Sequence, residues 1–221
     1  MKKKYYIFEM DMLWLQIIST ILLIFMFFLT LYVYPEFNIL DNDFAIAFIF
    51  MIPYMILHEI LHSISYVVNG AKFKNITYGV HLDKGILCCL CKQNINKKNI
   101  LISLLTPFMI IGVLTYIIGI LINNQVLVIL SIFNISGCAG DLIMFLELAK
   151  LKNFEFSEYD NPVAFGLYSS DDLSNLKLRG LKYIDCSTKL DKNNLKKVSV
   201  SKSSIFIAVG YLLLGLILYW M

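Results

Sequence analysis

Five long apolar segments dominate the chain, and each is long enough to predict a membrane-spanning helix. A helix needs about 20 apolar residues to cross the hydrocarbon core of a bilayer. The segments cover residues of about 12–33, 44–68, 99–122, 125–149 and 204–221. The pattern therefore predicts an all-α polytopic membrane protein with about five transmembrane helices.

Two polar segments interrupt the apolar pattern. Residues 70–98 alternate weakly and contain Gly79 and Gly85 as breaks, which predicts a small hairpin region near the membrane. Residues 151–203 mix charges with short apolar patches and predict a small loop domain with a strand or two. The predicted organisation is a transmembrane core at 1–150, a loop domain at 151–203 and a final transmembrane helix at 204–221.

Two prolines fall inside predicted spans, Pro53 in the second and Pro107 in the third. Proline lacks an N–H and leaves a backbone carbonyl of its helix without the usual donor. In membrane helices, neighbouring helices can satisfy the groups that are freed in this way.

Composition and charge support the membrane class and give an orientation. Of the 221 residues, 58% are hydrophobic and 16% are charged, against about 45–50% apolar and about 25% charged in soluble domains. All 19 basic residues fall before the first span, between residues 70 and 98, or between residues 150 and 202. This positive-inside pattern predicts a multi-pass protein of the cell membrane with a cytoplasmic N-terminus and an external C-terminus. The lysine-rich face suits anionic lipid, and nothing indicates nucleic-acid recognition.

The second span carries an unexpected group of ionisable residues, His58, Glu59 and His62. Residues four apart on a helix lie on one face, so both imidazoles can bind one zinc ion. Glu59 lies beside that face, where it can act as general base toward a zinc-activated water. The sequence HEILH thus has the form of the HExxH motif of zinc metallopeptidases.

The HExxH pattern also occurs by chance in soluble helices, where it consists of two surface histidines and a salt-bridging glutamate. From the composition, a chance match is on the order of one in a thousand. Charged residues inside a span are costly and have no solvated face to occupy. The position of the motif therefore favours a functional site.

A catalytic zinc needs a third protein ligand, and Asp141 and Glu147 in the fourth span are the candidates. The two histidines lie roughly 10–16 Å from the cytoplasmic end of their helix, at 1.5 Å per residue. Asp141 lies at roughly 13 Å and Glu147 at only about 4–5 Å on the same basis. Depth thus selects Asp141 as the metal ligand, while Glu147 is predicted to pair with a nearby lysine. The alternative for Asp141 is a buried aspartate bonded to backbone or serine.

With HEILH in one span and SGCAGD two spans later, residues 44–165 resemble the intramembrane zinc metalloproteases of the site-2 protease type, and more closely the zincin-type peptidases of the DUF3267 family. The resemblance implies an enzyme that uses Zn²⁺ to hydrolyse peptide bonds of membrane-anchored proteins. It also implies that Asn134 binds substrate backbone. Site-2 proteases have an Asn-Pro dipeptide before the metal-binding aspartate, whereas Asn134 is followed by Ile135.

Two other interpretations remain open from the sequence. A carrier or an immunity-type protein could bind a metal or a peptide at His58, His62 and Asp141 without hydrolysis, although such a protein has no need of Glu59. His81 and the cysteines of CCLC, residues 88–91, could form a second metal site, but their spacing fits no zinc motif well.

Overall fold

The computed structural model describes residues 3–38, 42–81, 86–158, 164–174 and 178–184. Helices and a small antiparallel sheet region make up this part of the chain. The predicted last span, residues 204–221, lies outside the described residues, as does part of the predicted loop domain. The predicted division into domains at residues 150 and 203 stays a prediction.

Helices form most of the described structure, and their bounds follow the apolar segments of the sequence. The helices are α1 (Met12–Val33), α2 (Asn42–Val68), α3 (Lys97–Pro107), α4 (Thr115–Leu121), α5 (Gln125–Gly137) and α6 (Ala139–Ala149), with a π-helical segment, Phe108–Leu114, between α3 and α4.

Three continuous helical stretches are long and apolar enough to cross a membrane: α1, α2, and the stretch from α3 to α4. Helices α5 and α6 pass the same test together, but the chain bends by 46° between them. The described residues thus contain three candidate spans, or four if the bent pair is counted as one. These spans confirm the prediction of several helices able to cross a membrane. The predicted fourth helix is bent, whereas the sequence pattern predicted a straight one.

In the part of the chain that the structure describes, seven strands form two antiparallel sheets, so the all-α prediction is too narrow. The strands are β1 (Lys4–Met10), β2 (Ile76–His81), β3 (Ile86–Cys91), β4 (Ile95–Asn96), β5 (Glu155–Glu158), β6 (Ala164–Ser169) and β7 (Leu181–Ile184). One sheet has the order β4-β5-β6-β1-β7, and β2 and β3 form the second as a hairpin. The hairpin expected within residues 70–98 is present.

Strand β1 is the element that the sequence pattern failed to indicate. Its residues pair with β6 over Lys4 to Glu9 and with β7 on the other side. Phe8 is fully buried and stacks on Phe165 with ring centroids 6.0 Å apart. Because its partners lie more than 150 residues away, no local pattern could show that this stretch is a central strand.

Helix α5 lies at the centre of the bundle and packs on α1, α2 and α4, while α3 packs on α2 and α6. Hydrogen bonds between side chains connect these helices inside the apolar region. The Tyr54 hydroxyl bonds to Thr115 Oγ1 at 2.8 Å, which in turn bonds to Ser131 Oγ at 2.7 Å. Such bonds and close packing hold membrane helices together where the hydrophobic effect between helices is weak.

The start of α1 is fixed to the sheet by Asp11. Its carboxylate accepts a hydrogen bond from the Leu13 N–H at 3.0 Å, which caps the helix, and pairs with Lys182 Nζ of β7 at 2.8 Å. The hydrogen bond from Lys182 holds the pKa of Asp11 below its ordinary value of 3.8. Asp11 therefore couples the first span to the sheet.

We expect Asp11→Ala to lower the thermal unfolding temperature more than Asp11→Asn, because asparagine still caps the helix and loses only the ion pair. A group whose pKa is depressed by folding stabilises the fold above its unfolded pKa, and this contribution disappears as the pH falls through the folded value. The wild-type protein should therefore lose this contribution in acid, whereas Asp11→Asn should not. Melting curves in detergent at neutral and acidic pH measure both effects. Equal melting temperatures for the two variants would contradict the capping role.

Candidate metal centre

Three side chains predicted to bind a metal lie together between α2 and α6. His58 and His62 are one turn apart on α2, and Asp141 lies in the first turn of α6. The two histidine Nε2 atoms are 3.1 Å apart, and Asp141 Oδ2 is 3.2 Å from the first and 3.4 Å from the second. Among the described residues, this is the one group of histidines, cysteines and acids with the geometry of a metal site.

These distances fit a tetrahedral zinc ion. Bonds of about 2.0–2.1 Å to a tetrahedral centre place neighbouring ligand atoms about 3.3 Å apart. The three measured separations, 3.1 to 3.4 Å, surround that value. The residues present therefore match three corners of a zinc tetrahedron and leave the fourth corner for a reactant.

Both imidazole rings are oriented by a partner on the side away from this centre. His58 Nδ1 lies 2.9 Å from Asn134 Oδ1, and His62 Nδ1 lies 3.0 Å from the backbone carbonyl oxygen of Ser103. Because each Nδ1–H donates to one of these acceptors, a neutral ring presents an unprotonated Nε2 to the centre. Three atoms with lone pairs then face each other, an arrangement that calls for a cation among them.

The bend between α5 and α6 brings Asp141 to the histidines. Helix α5 ends at Gly137, and α6 begins at Ala139. Asp141 therefore lies at a helix N-terminus, where the helix dipole favours a negative charge. The first span packs against this bend, since a Cβ on Gly140 would lie at an ordinary contact distance of 3.5 Å from Leu15 of α1.

Of the two acidic candidates, depth in the membrane favoured Asp141, and Asp141 is the one that lies beside the two histidines. Asp141 is at the centre, and Glu147 lies further along α6, where its Oε1 is 2.5 Å from Lys150 Nζ. Glu147 is buried, and its lysine partner is exposed, as expected of an ion pair near the end of a span.

Glu59 lies beside the centre and is not one of the three converging groups. It is half-buried, and its carboxylate accepts a hydrogen bond from the backbone N–H of Cys89 in β3. The hairpin is also attached to α2 by a hydrogen bond between the hydroxyls of Tyr78 and Ser63. Strand β3 therefore lies directly against the predicted general base.

A cavity of about 550 Å³ contains the whole site, including His58, Glu59, His62 and Asp141. Its walls come from α1, α2, β3, the α5–α6 bend and the edge of the sheet. Five methionines line it: Met10, Met12, Met51, Met55 and Met144. Flexible methionine side chains can adapt to apolar groups of different shapes.

Two features of the site were missed from the sequence. The Ser103 carbonyl is a backbone group, so no side-chain pattern in the sequence could indicate it as the partner of His62. Asn134 contacts His58 and also lines the cavity, and its expected contact with substrate backbone stays a prediction. Cys89 and Cys91 are buried, and the side chain of His81 lies outside the described residues, so the possible second metal site stays untested.

Comparison with known proteins finds a family model that matches slightly less than half of the chain. Residues 50–154 match the model of the DUF3267 family, described as "Putative zincin peptidase". The match includes α2 with both histidines and extends beyond Asp141. No curated protein and no solved structure matches the chain.

We expect purified wild-type protein to hold one zinc ion per chain, and His58→Ala and Asp141→Ala to lose it, because each removes one of three ligand atoms. Glu147→Gln is the matched control, since it changes another carboxylate on the same helix and should keep the zinc. Elemental analysis of the purified variants measures the metal content. Equal zinc in all four proteins would remove these residues from the site.

Proposed function

We propose that this protein, whose residues 50–154 match the DUF3267 family model, is an intramembrane zinc metallopeptidase that hydrolyses peptide bonds of membrane-anchored proteins. One observation carries the proposal: two histidine nitrogens and one aspartate oxygen converge within 3.4 Å, next to a glutamate and inside helices able to span a membrane. The intact HExxH sequence and the family match agree with this chemistry.

The roles of the residues follow from their positions. His58, His62 and Asp141 would hold the metal, and zinc supplies Lewis acidity that lowers the pKa of water and polarises a carbonyl group. Glu59 takes a proton from the attacking water and returns it to the leaving amine. The Cys89 N–H keeps the Glu59 carboxylate directed toward the cavity.

The cavity supports an apolar, membrane-anchored substrate. Its methionine-rich wall accepts side chains of varied shape, and its position among candidate spans makes it accessible from the bilayer. The contact of Asn134 with His58 supports an orienting role for this residue beside the expected contact with substrate backbone.

Strand β3 offers an edge to which an extended substrate could pair. The Lys92 N–H donates to Asn75 O, and the Cys89 N–H donates to Glu59. Because neighbouring residues of a strand direct their N–H groups to opposite sides, Leu87, like Cys89, directs its N–H away from β2. A peptide added at this edge would lie beside Glu59, in the manner of β-augmentation.

The distribution of lysines supports a cytoplasmic position for the sheet and an active site in the inner half of the membrane. In this orientation β1, β5, β6 and β7 contact the aqueous side. A cysteine-accessibility experiment on Lys3→Cys in intact cells tests it, since labelling by a membrane-impermeant reagent would place the sheet outside.

A carrier or immunity-type protein remains the alternative class. Such a protein needs ligands for a metal or a peptide but no general base. Glu59 is held by a backbone N–H beside the three ligand atoms, and this favours hydrolysis over simple binding.

We expect Glu59→Gln to abolish peptide cleavage and to keep zinc, because the amide retains the shape of the side chain but cannot accept a proton. Loss should reach at least the range of about 10²–10⁴-fold that general acid–base catalysis contributes. Cleavage of a membrane-anchored reporter in liposomes, with zinc content measured in parallel, provides the test. Glu147→Gln is the control. A fully active Glu59→Gln protein would exclude the proposed mechanism.

Leu87→Pro should reduce cleavage, because it removes an N–H from the outer edge of β3 without removing one that pairs with β2. Leu87→Ala keeps this N–H and shortens the same side chain, so it should be the more active of the two. The ratio of their cleavage rates on the same reporter measures the contribution of the edge. Equal rates would argue against strand pairing by the substrate.

A further inference from the structure

Pro107 lies at the junction of α3 and the π-helical segment, four residues after Ser103. In a regular helix the N–H of residue 107 would donate to the Ser103 carbonyl, but proline has no N–H. The next N–H, that of Phe108, donates to Leu105 O. The Ser103 carbonyl is therefore left available to a donor from outside its own helix.

That donor is His62. Its Nδ1 lies 3.0 Å from Ser103 O, in a position where the imidazole is only 7% exposed. The Ser103 hydroxyl is not the acceptor: its Oγ is buried and has no hydrogen-bond partner among the described residues. The carbonyl freed by the proline thus fixes the proton of His62 on Nδ1 and leaves Nε2 directed at Asp141.

The irregular backbone at Pro107 also contacts the residue that orients the other histidine, His58. The carbonyl oxygen of Pro107 lies 3.4 Å from Asn134 Nδ2, and Asn134 Oδ1 accepts the Nδ1–H of His58 at 2.9 Å. A Cβ on Gly112, in the π-helical segment, would lie only 3.3 Å from Asn134 Nδ2. The irregular segment after Pro107 therefore packs directly against the amide that orients His58.

We propose that Pro107 is a positioning residue of the metal centre: it frees the Ser103 carbonyl to orient His62, and through Asn134 it orients His58. The inference rests on the metal site of the proposed function but not on hydrolysis. Histidines that bind metals commonly donate their second ring N–H to a carbonyl or carboxylate, and loss of such a partner weakens metal binding about 10–100-fold. A proline that served only to bend the span would have no such effect.

The test is Pro107→Ala in the full-length protein, with zinc affinity measured by competition with a chelator. Alanine restores an N–H that competes with His62 for Ser103 O. Because a carbonyl has two lone pairs, we expect a loss of about tenfold, at the low end of the range for a lost partner. Asn134→Leu should also weaken zinc binding, because it removes the oxygen acceptor of the His58 Nδ1–H.

A second measurement separates positioning from a general effect on the fold. With only three histidines in the chain, ¹⁵N-labelled histidine gives few side-chain signals in the zinc-loaded protein. Pro107→Ala should move the Nδ1–H signal of His62 and speed its exchange with water, while Asn134→Leu should change the signal of His58 instead.

Two controls match the proline variant. Pro35→Ala replaces a proline outside the helices that carry the site and should leave both zinc affinity and the His62 signal unchanged. Ser103→Ala removes the hydroxyl and keeps the carbonyl, so it should leave the His62 signal unchanged as well. A shift in Ser103→Ala equal to that in Pro107→Ala would overturn the assignment of the carbonyl as the acceptor.

Wild-type affinity and an unchanged His62 signal in Pro107→Ala would overturn the proposal, as would an equal loss of affinity in Pro35→Ala. If the wild-type protein binds zinc tightly but cleaves no peptide, and Pro107→Ala weakens binding, the peptidase proposal fails and this one stands. If the wild-type protein binds no zinc, both fail.

Discussion

The convergence of three electron-rich atoms inside membrane-spanning helices is the constraint on which the rest of the structure depends. The Nε2 atoms of His58 and His62 and the Oδ2 atom of Asp141 lie within 3.4 Å of one another, and the outer nitrogen of each ring is already engaged. In a medium of low dielectric such a group is unfavourable unless a positive charge lies among its members. The spacing suits zinc, and the chemistry proposed for the protein follows from this.

Irregular backbone makes this convergence possible. The 46° bend between α5 and α6 presents Asp141 from a helix N-terminus. The break at Pro107 leaves the Ser103 carbonyl of α3 behind the ring of His62, and Asn134 of α5, which contacts the Pro107 carbonyl, lies behind the ring of His58. Broken helices inside a membrane are tolerated where their backbone groups find partners within the protein. Here, those partners are the side chains that orient the site.

The sheet connects this centre to the region outside the membrane. Hairpin β2–β3 packs on α2, and the Cys89 N–H binds Glu59, so the general base is held between a transmembrane helix and a strand edge. The cavity extends from this edge to the methionines of α1 and α2. For the proposed peptidase, this space would admit a substrate that leaves the bilayer and extends along β3 to the metal centre.

The sequence by itself determined the features that depend on local periodicity and depth. Helical spacing paired His58 with His62, and distance from the span end selected Asp141 over Glu147. Tertiary structure alone decided the features that join distant segments or use backbone atoms. Strand β1 pairs with β6 more than 150 residues away. The acceptor for His62 is a backbone carbonyl, which cannot be recognised from the residue types in the sequence. The periodicity of side chains can be read from neighbouring residues in the sequence. The pairing of β1 with β6 and the bond from His62 to the Ser103 carbonyl form only when distant segments have packed together.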